Sequence, residues 1–209
     1  PRVVDDVRRV AHRFASSRQH DLGIAGNDLL GREHRGLHAG SALALDRGVV
    51  AEGKDLQTCN PNECHSNHGR INLATSIKAS CISYYRQVAR KVGVEKERES
   101  LRRMDYPGRG TFEPSDGFWL TSPGMQITAR QQLTWIRRFF VEDLGLKPQG
   151  LELVRNASFR AATNQWTLWG KTGSSGPKAD RPHGWFVGRI RWADGRTLFV
   201  AILVKGQGF

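Results

Sequence analysis

The chain is 209 residues long with 38% hydrophobic content, enough to bury a core in one domain or in one domain with a subordinate lobe, which excludes a disordered polymer. It has no run of about twenty apolar residues, and Pro1 to Asp6 lack the charged-then-apolar pattern of a signal peptide, so a soluble chain with no membrane segment is expected. The net charge of +12 is mostly arginine, scattered in ones and twos (Arg8 and Arg9, Arg102 and Arg103, Arg137 and Arg138) with no basic stripe interleaved with stacking aromatics, so a solvated basic surface is favoured over a nucleic-acid partner.

Residues 1–40 show no strand alternation and form an unrecognised segment; the chain starts at Pro1 rather than Met, which leaves an upstream leader or anchor open. Residues 51–70, "AEGKDLQTCNPNECHSNHGR", are polar, rich in Asn, Cys and His, and do not look like core-forming sequence. The cysteines, Cys59, Cys64 and Cys81, are odd in number, so a full disulfide framework is not implied. Cys59, Cys64, His65 and His68 are ligand types that zinc accepts, but adjacent Cys64 and His65 seldom both reach one tetrahedral ion. A loop is the favoured reading of that set, and no metal is expected.

From Leu73 to Val92 the apolar residues Leu73, Ile77, Cys81, Tyr85, Val88 and Val92 follow the spacing of one helical face, and Gly93 is a natural terminator; a single helix is predicted. A second helix is predicted over 129–144, with Leu133, Ile136, Phe140 and Leu144 on one face and Thr128 as cap. The last forty-five residues read as three sequential antiparallel strands, over 165–170, 185–192 and 196–204, the last two joined at the turn pair Asp194 and Gly195.

The triplet Lys171, Thr172, Gly173 closes the first of these strands, and Gly184 with Trp185 opens the second, so pairing brings both to one edge of the sheet. A lysine ammonium beside a threonine hydroxyl, on a strand edge where glycine permits close approach, suits the clamping of a carboxylate and the stabilisation of an oxyanion. Alone the triplet is weak, because any exposed strand can end this way.

Context strengthens it. Ser80, Cys81, Ile82 is followed by Tyr84, Tyr85 and "RQVARKVG", then by Tyr106, by Phe118, Trp119, Leu120, and by the "ITARQQLTWI" helix. In this order the chain from about Ser41 to its end resembles a class D (oxacillinase-type) serine β-lactamase of the penicillin-recognising fold. The resemblance implies an α/β (α+β) fold, an antiparallel sheet flanked by helices with a helical lobe, in which the amino-terminal strands and carboxyl-terminal helix are not recognisable. It divides the chain into the segment 1–40 and a partial β-lactamase-like domain over 41–209. It implies a hydrolase that opens cyclic amides through an acyl-enzyme, β-lactams as small-molecule partners, a part in antibiotic resistance, and a periplasmic or secreted location.

Carried over by position, the resemblance makes Ser80 the serine that shuttles a proton to the leaving nitrogen, with Ile82 where the family has Val. Lys171, Thr172 and Gly173 become the strand that holds substrate, and the backbone N–H of Ser174 an oxyanion donor. Trp119 matches the tryptophan that hydrogen-bonds a carboxylated lysine, the family's general base in place of a cofactor. Tyr106 matches the start of a Tyr-Gly-Asn motif whose next two residues are here Pro107 and Gly108.

The nucleophile is missing from its expected place. The family sets a Ser-x-x-Lys motif ahead of a helix ending like Ala44, Leu45, Asp46, Arg47, Gly48; counting back puts His34 at the serine and Leu37 at the lysine. Neither supplies the attacking oxygen or the base. Thr75 to Lys78 reads as hydroxyl-x-x-Lys but lies only two residues before Ser80, and Lys78 is expected to be solvated; Ser41 has Ala44 three residues on. Either catalysis has been lost in a divergent homologue, or parts of 1–40 and 51–70 are a shifted reading of the gene. Both readings predict absent or very low activity. The alternatives are a non-catalytic penicillin-sensor-type domain and a basic interaction domain.

Overall fold

A computed structural model describes residues 57–64, 68–107, 127–141, 144–174 and 183–205. The segment 1–40, His34, Leu37, Ser41, the helix end at 44–48, His65 and Trp119 lie outside them. In chain order the elements are β1 (Gln57–Thr58), a short 3-10 turn (Pro61–Glu63), β2 (Arg70–Ile71), α1 (Leu73–Ala79), α2 (Ile82–Val92) and α3 (Val94–Arg103). There follow α4 (Ala129–Val141), α5 (Pro148–Ala157) and four strands, β3 (Phe159–Ala162), β4 (Trp166–Ser174), β5 (His183–Trp192) and β6 (Thr197–Lys205). None of the described helices is long and apolar enough to cross a membrane.

The four strands form one antiparallel sheet in sequence order, β3-β4-β5-β6. The expected turn between β5 and β6 is present: Gly195 takes φ +89°, and Asp194 Oδ1 accepts from the Arg196 backbone N–H at 3.0 Å. β3 has no counterpart in the expected strand set. Strand alternation gives the sheet two apolar faces. One holds Leu168, Ile190 and Val200, flanked by Trp166, Phe186 and Ile202. On the other, Trp169 and Phe199 pack against the main core, which the helices supply.

Residue chemistry explains the helix boundaries. Asn72 and Thr75 exchange side-chain and backbone hydrogen bonds at the start of α1, both 3.0 Å, a reciprocal cap that satisfies two otherwise orphaned donors. Thr128 and Gln131 do the same ahead of α4. Gly93, at φ +83°, ends α2 and begins α3.

Two sequence expectations need correction. The predicted helix over 73–92 is two helices, broken at Ser80 and Cys81. Of the face expected for α4, Ile136, Phe140 and Leu144 are buried, but Leu133 is 39% exposed and Gln132, Trp135 and Phe139 are buried in addition. Within α4 the buried set follows the i, i+3, i+4, i+7, i+8 pattern, and Leu133 falls about 100° from its leading residue. Stacked and edge-on rings then run from the turn after α3 to the sheet. Tyr106 meets Trp135 at 4.9 Å, Trp135 meets Phe139 at 5.4 Å, Phe139 meets Phe140 at 5.1 Å, and Phe140 meets Phe199 at 6.5 Å.

Candidate active site

The break between α1 and α2 presents Ser80. Its N–H bonds to the Ile77 carbonyl (3.4 Å), and the Cys81 N–H bonds to the Ser76 carbonyl (3.1 Å). These are the two bonds of a Schellman ending, whose residue past the helix adopts left-handed geometry and is usually glycine. Here it is Ser80, at φ 52°, ψ 41°. A side chain in that conformation costs about 1–2 kcal/mol, the kind of strain that collects at functional sites. The turn allows α2 to start immediately, with Cys81 as its N-cap.

Facing Ser80 is Lys171, from the middle of β4. Its side chain is 1% exposed, and Nζ donates to Ser80 Oγ and to the Thr172 carbonyl (2.8 Å). With its lone pair engaged by the ammonium, the Ser80 hydroxyl is free to point its own proton at a third group. The strand register is the one the sequence suggested: Lys171 lies opposite Val187, Gly173 opposite Trp185 and Ser174 opposite Gly184, so the triplet and the Gly-Trp pair share one edge. Thr172 is half-buried and Gly173 buried. Immediately behind the triplet, Gly170 and Gly188 face each other across the ladder, and a Cβ on Gly188 would lie 2.1 Å from the Trp169 carbonyl oxygen. The close approach of β4 and β5 at the foot of the site therefore requires glycine.

The other sequence candidates fall as follows. Lys78 is exposed, as expected, and Thr75 is occupied in the α1 cap. Tyr106 is half-buried against Trp135, on the side of the helical core.

Sequence reasoning missed a cluster beside Ser80. The segment around 57–71, expected to be a loop, is a small antiparallel ladder pairing Thr58 with Arg70, closed by a Cys59 N–H to Gly69 carbonyl bond of 2.8 Å. It carries Cys59 and His68 to one point, with Cys59 Sγ 3.5 Å from His68 Nδ1. Cys64 and Cys81 join them: Cys64 Sγ lies 3.2 Å from Cys81 Sγ, which lies 3.4 Å from Cys59 Sγ. All four donor atoms fall within 4.8 Å of one another. No cysteine is bridged to another.

The hydrogen bond from Cys81 holds the Cys64 thiol down to about 5, assisted by the Ser83 backbone N–H. The same contact with Cys64, together with burial, pushes the Cys81 thiol up, and burial raises Cys59. The signal for this cluster was present in the sequence as Cys81, but its place in the helical apolar phase marked it as core.

The family profile of the penicillin binding protein transpeptidase domain matches residues 39–208. Beta-lactamase OXA-48 from Klebsiella pneumoniae is 28% identical over 164 residues, which cover 76% of this chain and 60% of that protein. Regulatory protein BlaR1 from Bacillus licheniformis is 25% identical over 167 residues, 79% of this chain and 27% of that protein. The chain thus spans 60% or less of the length of these curated relatives. Among solved structures, the class D β-lactamase YbXI from Nostoc superposes with a TM-score of 0.73 at 26% identity, covering 84% of this chain and 74% of that one. The C-terminal domain of the Bacillus licheniformis BlaR penicillin-receptor shares the fold, with a TM-score of 0.73 at 23% identity over 85% of this chain and 72% of that one.

Proposed function

Since this chain belongs to the penicillin binding protein transpeptidase domain family, with a class D β-lactamase-like fold, we propose that it recognises β-lactams at the edge formed by Ser80 and Lys171 to Ser174. The observation that carries the proposal is the contact of Lys171 Nζ with Ser80 Oγ, made between a strained helix junction and the strand that bears the Lys-Thr-Gly triplet. The ammonium orients the hydroxyl, which points its proton at the lactam nitrogen as a hydrogen-bond donor without transferring it. Thr172 and the open strand edge hold the substrate carboxylate, and the Ser174 N–H faces the lactam carbonyl oxygen. Trp119 belongs to the same site in this reading. A periplasmic or secreted location goes with it.

Hydrolysis itself is absent or very low in this proposal. His34 and Leu37 occupy the positions where the family supplies the serine nucleophile and the lysine base. An imidazole in the serine's place has no hydroxyl to form the ester intermediate, and an isobutyl group in the lysine's place has no amine to be carboxylated into the family's base. What remains is reversible recognition by one wall of the site.

Titration calorimetry with a penicillin, alongside nitrocefin turnover and labelling by a fluorescent penicillin, tests this. Saturable binding is expected, weakened about tenfold or more in Lys171→Ala because a charge-assisted bond contributes about 1.5–3 kcal/mol. No turnover and no label surviving denaturation are expected with it. Rapid nitrocefin turnover would sink the proposed loss of catalysis, and the absence of any binding would sink recognition. A denaturation-stable label without turnover would favour instead a penicillin-sensor domain, the second reading, motivated by the similarity to BlaR1.

A further inference from the structure

We propose that Cys59, Cys64, His68 and Cys81 form a structural zinc site that clamps the β1–β2 ladder to the junction between α1 and α2. This rests on the convergence of the four side chains and is independent of whether the neighbouring edge binds β-lactams.

The four donors come from separate pieces of the fold. Cys59 follows β1, Cys64 follows the 3-10 turn, His68 precedes β2, and Cys81 caps α2. In sequence they run Cys-x4-Cys-x3-His-x12-Cys, so the first three lie within one short ladder and the fourth arrives from the helix it packs on. Three sulfurs and one imidazole nitrogen are a set that zinc takes in closed, four-coordinate structural sites. A tetrahedral ion with zinc–sulfur bonds of about 2.3 Å holds its sulfurs about 3.8 Å apart and a sulfur and nitrogen about 3.6 Å apart. The observed 3.2 and 3.4 Å between sulfurs would open by about 0.4 to 0.6 Å, the 3.5 Å from sulfur to Nδ1 already fits, and the remaining donor pairs, all within 4.8 Å, would draw in around the ion. Sulfurs this close without a bond are tightly packed against each other, and an ion at their centre would relieve that crowding.

The surroundings suit the charge. Zinc is held by three thiolates and a neutral imidazole, a net charge of −1 with the dication, and the protons of the thiols still protonated, Cys59 and Cys81, pass to solvent on binding. The Ser83 N–H in the first turn of α2 donates to Cys64 Sγ at 3.4 Å, and the N-terminus of this helix presents the positive end of its dipole to the cluster. Cys59 and Cys81 are 3% and 0% exposed, whereas Cys64 and His68 are half-buried, so the ion has a route in and little contact with water afterwards. The ladder is braced from outside as well. The Asn60 N–H bonds Ser83 Oγ at 2.9 Å, and Gln87 Nε2 bonds the Thr58 carbonyl at 3.0 Å. Asn60 also accepts from the Asn62 N–H at 3.0 Å, shaping the turn between the first two ligands.

The untagged full-length chain, expressed with zinc and purified under reductant, is expected to carry about one zinc per molecule by elemental analysis. Replacement by cobalt should give thiolate-to-metal charge transfer and the intense visible bands of a tetrahedral ion. A chelator should remove the metal and lower Tm, with zinc restoring it. Cys64→Ser and His68→Ala should lose stoichiometric metal. The cobalt spectrum of the unmodified chain keeps the test decisive if either variant misfolds. A folded chain without zinc or cobalt bands overturns the proposal, as does a Cys64–Cys81 disulfide in the intact mass of chain purified without air.

Discussion

Ser80 combines two roles that usually fall to different residues. Its backbone occupies the left-handed position that closes α1, where glycine would be unstrained, while its hydroxyl meets Lys171 across the site. Two substitutions separate these roles. Ser80→Ala and Ser80→Gly both delete the hydroxyl and should weaken β-lactam binding alike. Ser80→Gly should nevertheless be more stable than Ser80→Ala, by about 1 kcal/mol in urea unfolding, because only alanine keeps the strain. Equal stability of the two variants would show that the left-handed turn stores no strain. Motif order in the sequence named Ser80 and Lys171 as residues of one site, but not the contact between them. The backbone geometry was not legible either, because the break leaves the helical phase intact: Leu73 and Ile77 before it and Cys81, Tyr85 and Val88 after it are all buried. A serine in a Schellman ending gives no glycine to read.

At the level of elements, the edge that carries the triplet depends on how closely β4 and β5 approach behind it. Gly188 allows the approach: an added Cβ there would meet the Trp169 carbonyl oxygen at 2.1 Å and Gly170 Cα at 2.8 Å, both backbone atoms that cannot swing aside. Gly195 has a different requirement, a φ of +89° with nothing within 4 Å. Gly188→Ala should therefore cost about 3 kcal/mol by prising the strands apart, and Gly195→Ala about 1 kcal/mol through backbone strain alone. Only Gly188→Ala should also reduce β-lactam affinity, which calorimetry on the two variants would reveal. The three predicted strands and their hairpin were readable because β-branched and aromatic runs end in clear turn residues. The ladder over 57–71 was not, since two-residue strands have no alternation to detect and their order comes from contacts with α2. That this segment folds around converging thiols counts against its being a shifted reading of the gene.

For the whole molecule, charge is the feature that composition shows and the fold leaves in place. The net charge is +12, and three ion pairs among the described residues, Arg98 with Glu95, Arg138 with Asp105 and Arg196 with Asp194, each involve a partner more than half exposed. Such pairs contribute little. Some of the excess is held against aromatic rings instead: the Arg189 guanidinium lies 4.5 Å from the Phe140 ring and 4.3 Å from that of Trp169, joining α4 to the sheet. Burial there, with Arg191 and Arg155 nearby, lowers the Arg189 pKa, so desolvation and like charge both work against the folded state. Self-repulsion of this kind is screened by salt, whereas ring packing is not. Stability should consequently rise between about 0.01 and 0.15 M ionic strength, where the screening length falls from about 30 to 8 Å. Tm measured with chloride and with perchlorate as anion would show this as a shared increase at low concentration. A Tm that falls with salt would mean that attractive pairs dominate. Arginine stays protonated well above neutral pH, so the salt response should persist from pH 6 to about pH 10 rather than vanish as lysine titrates.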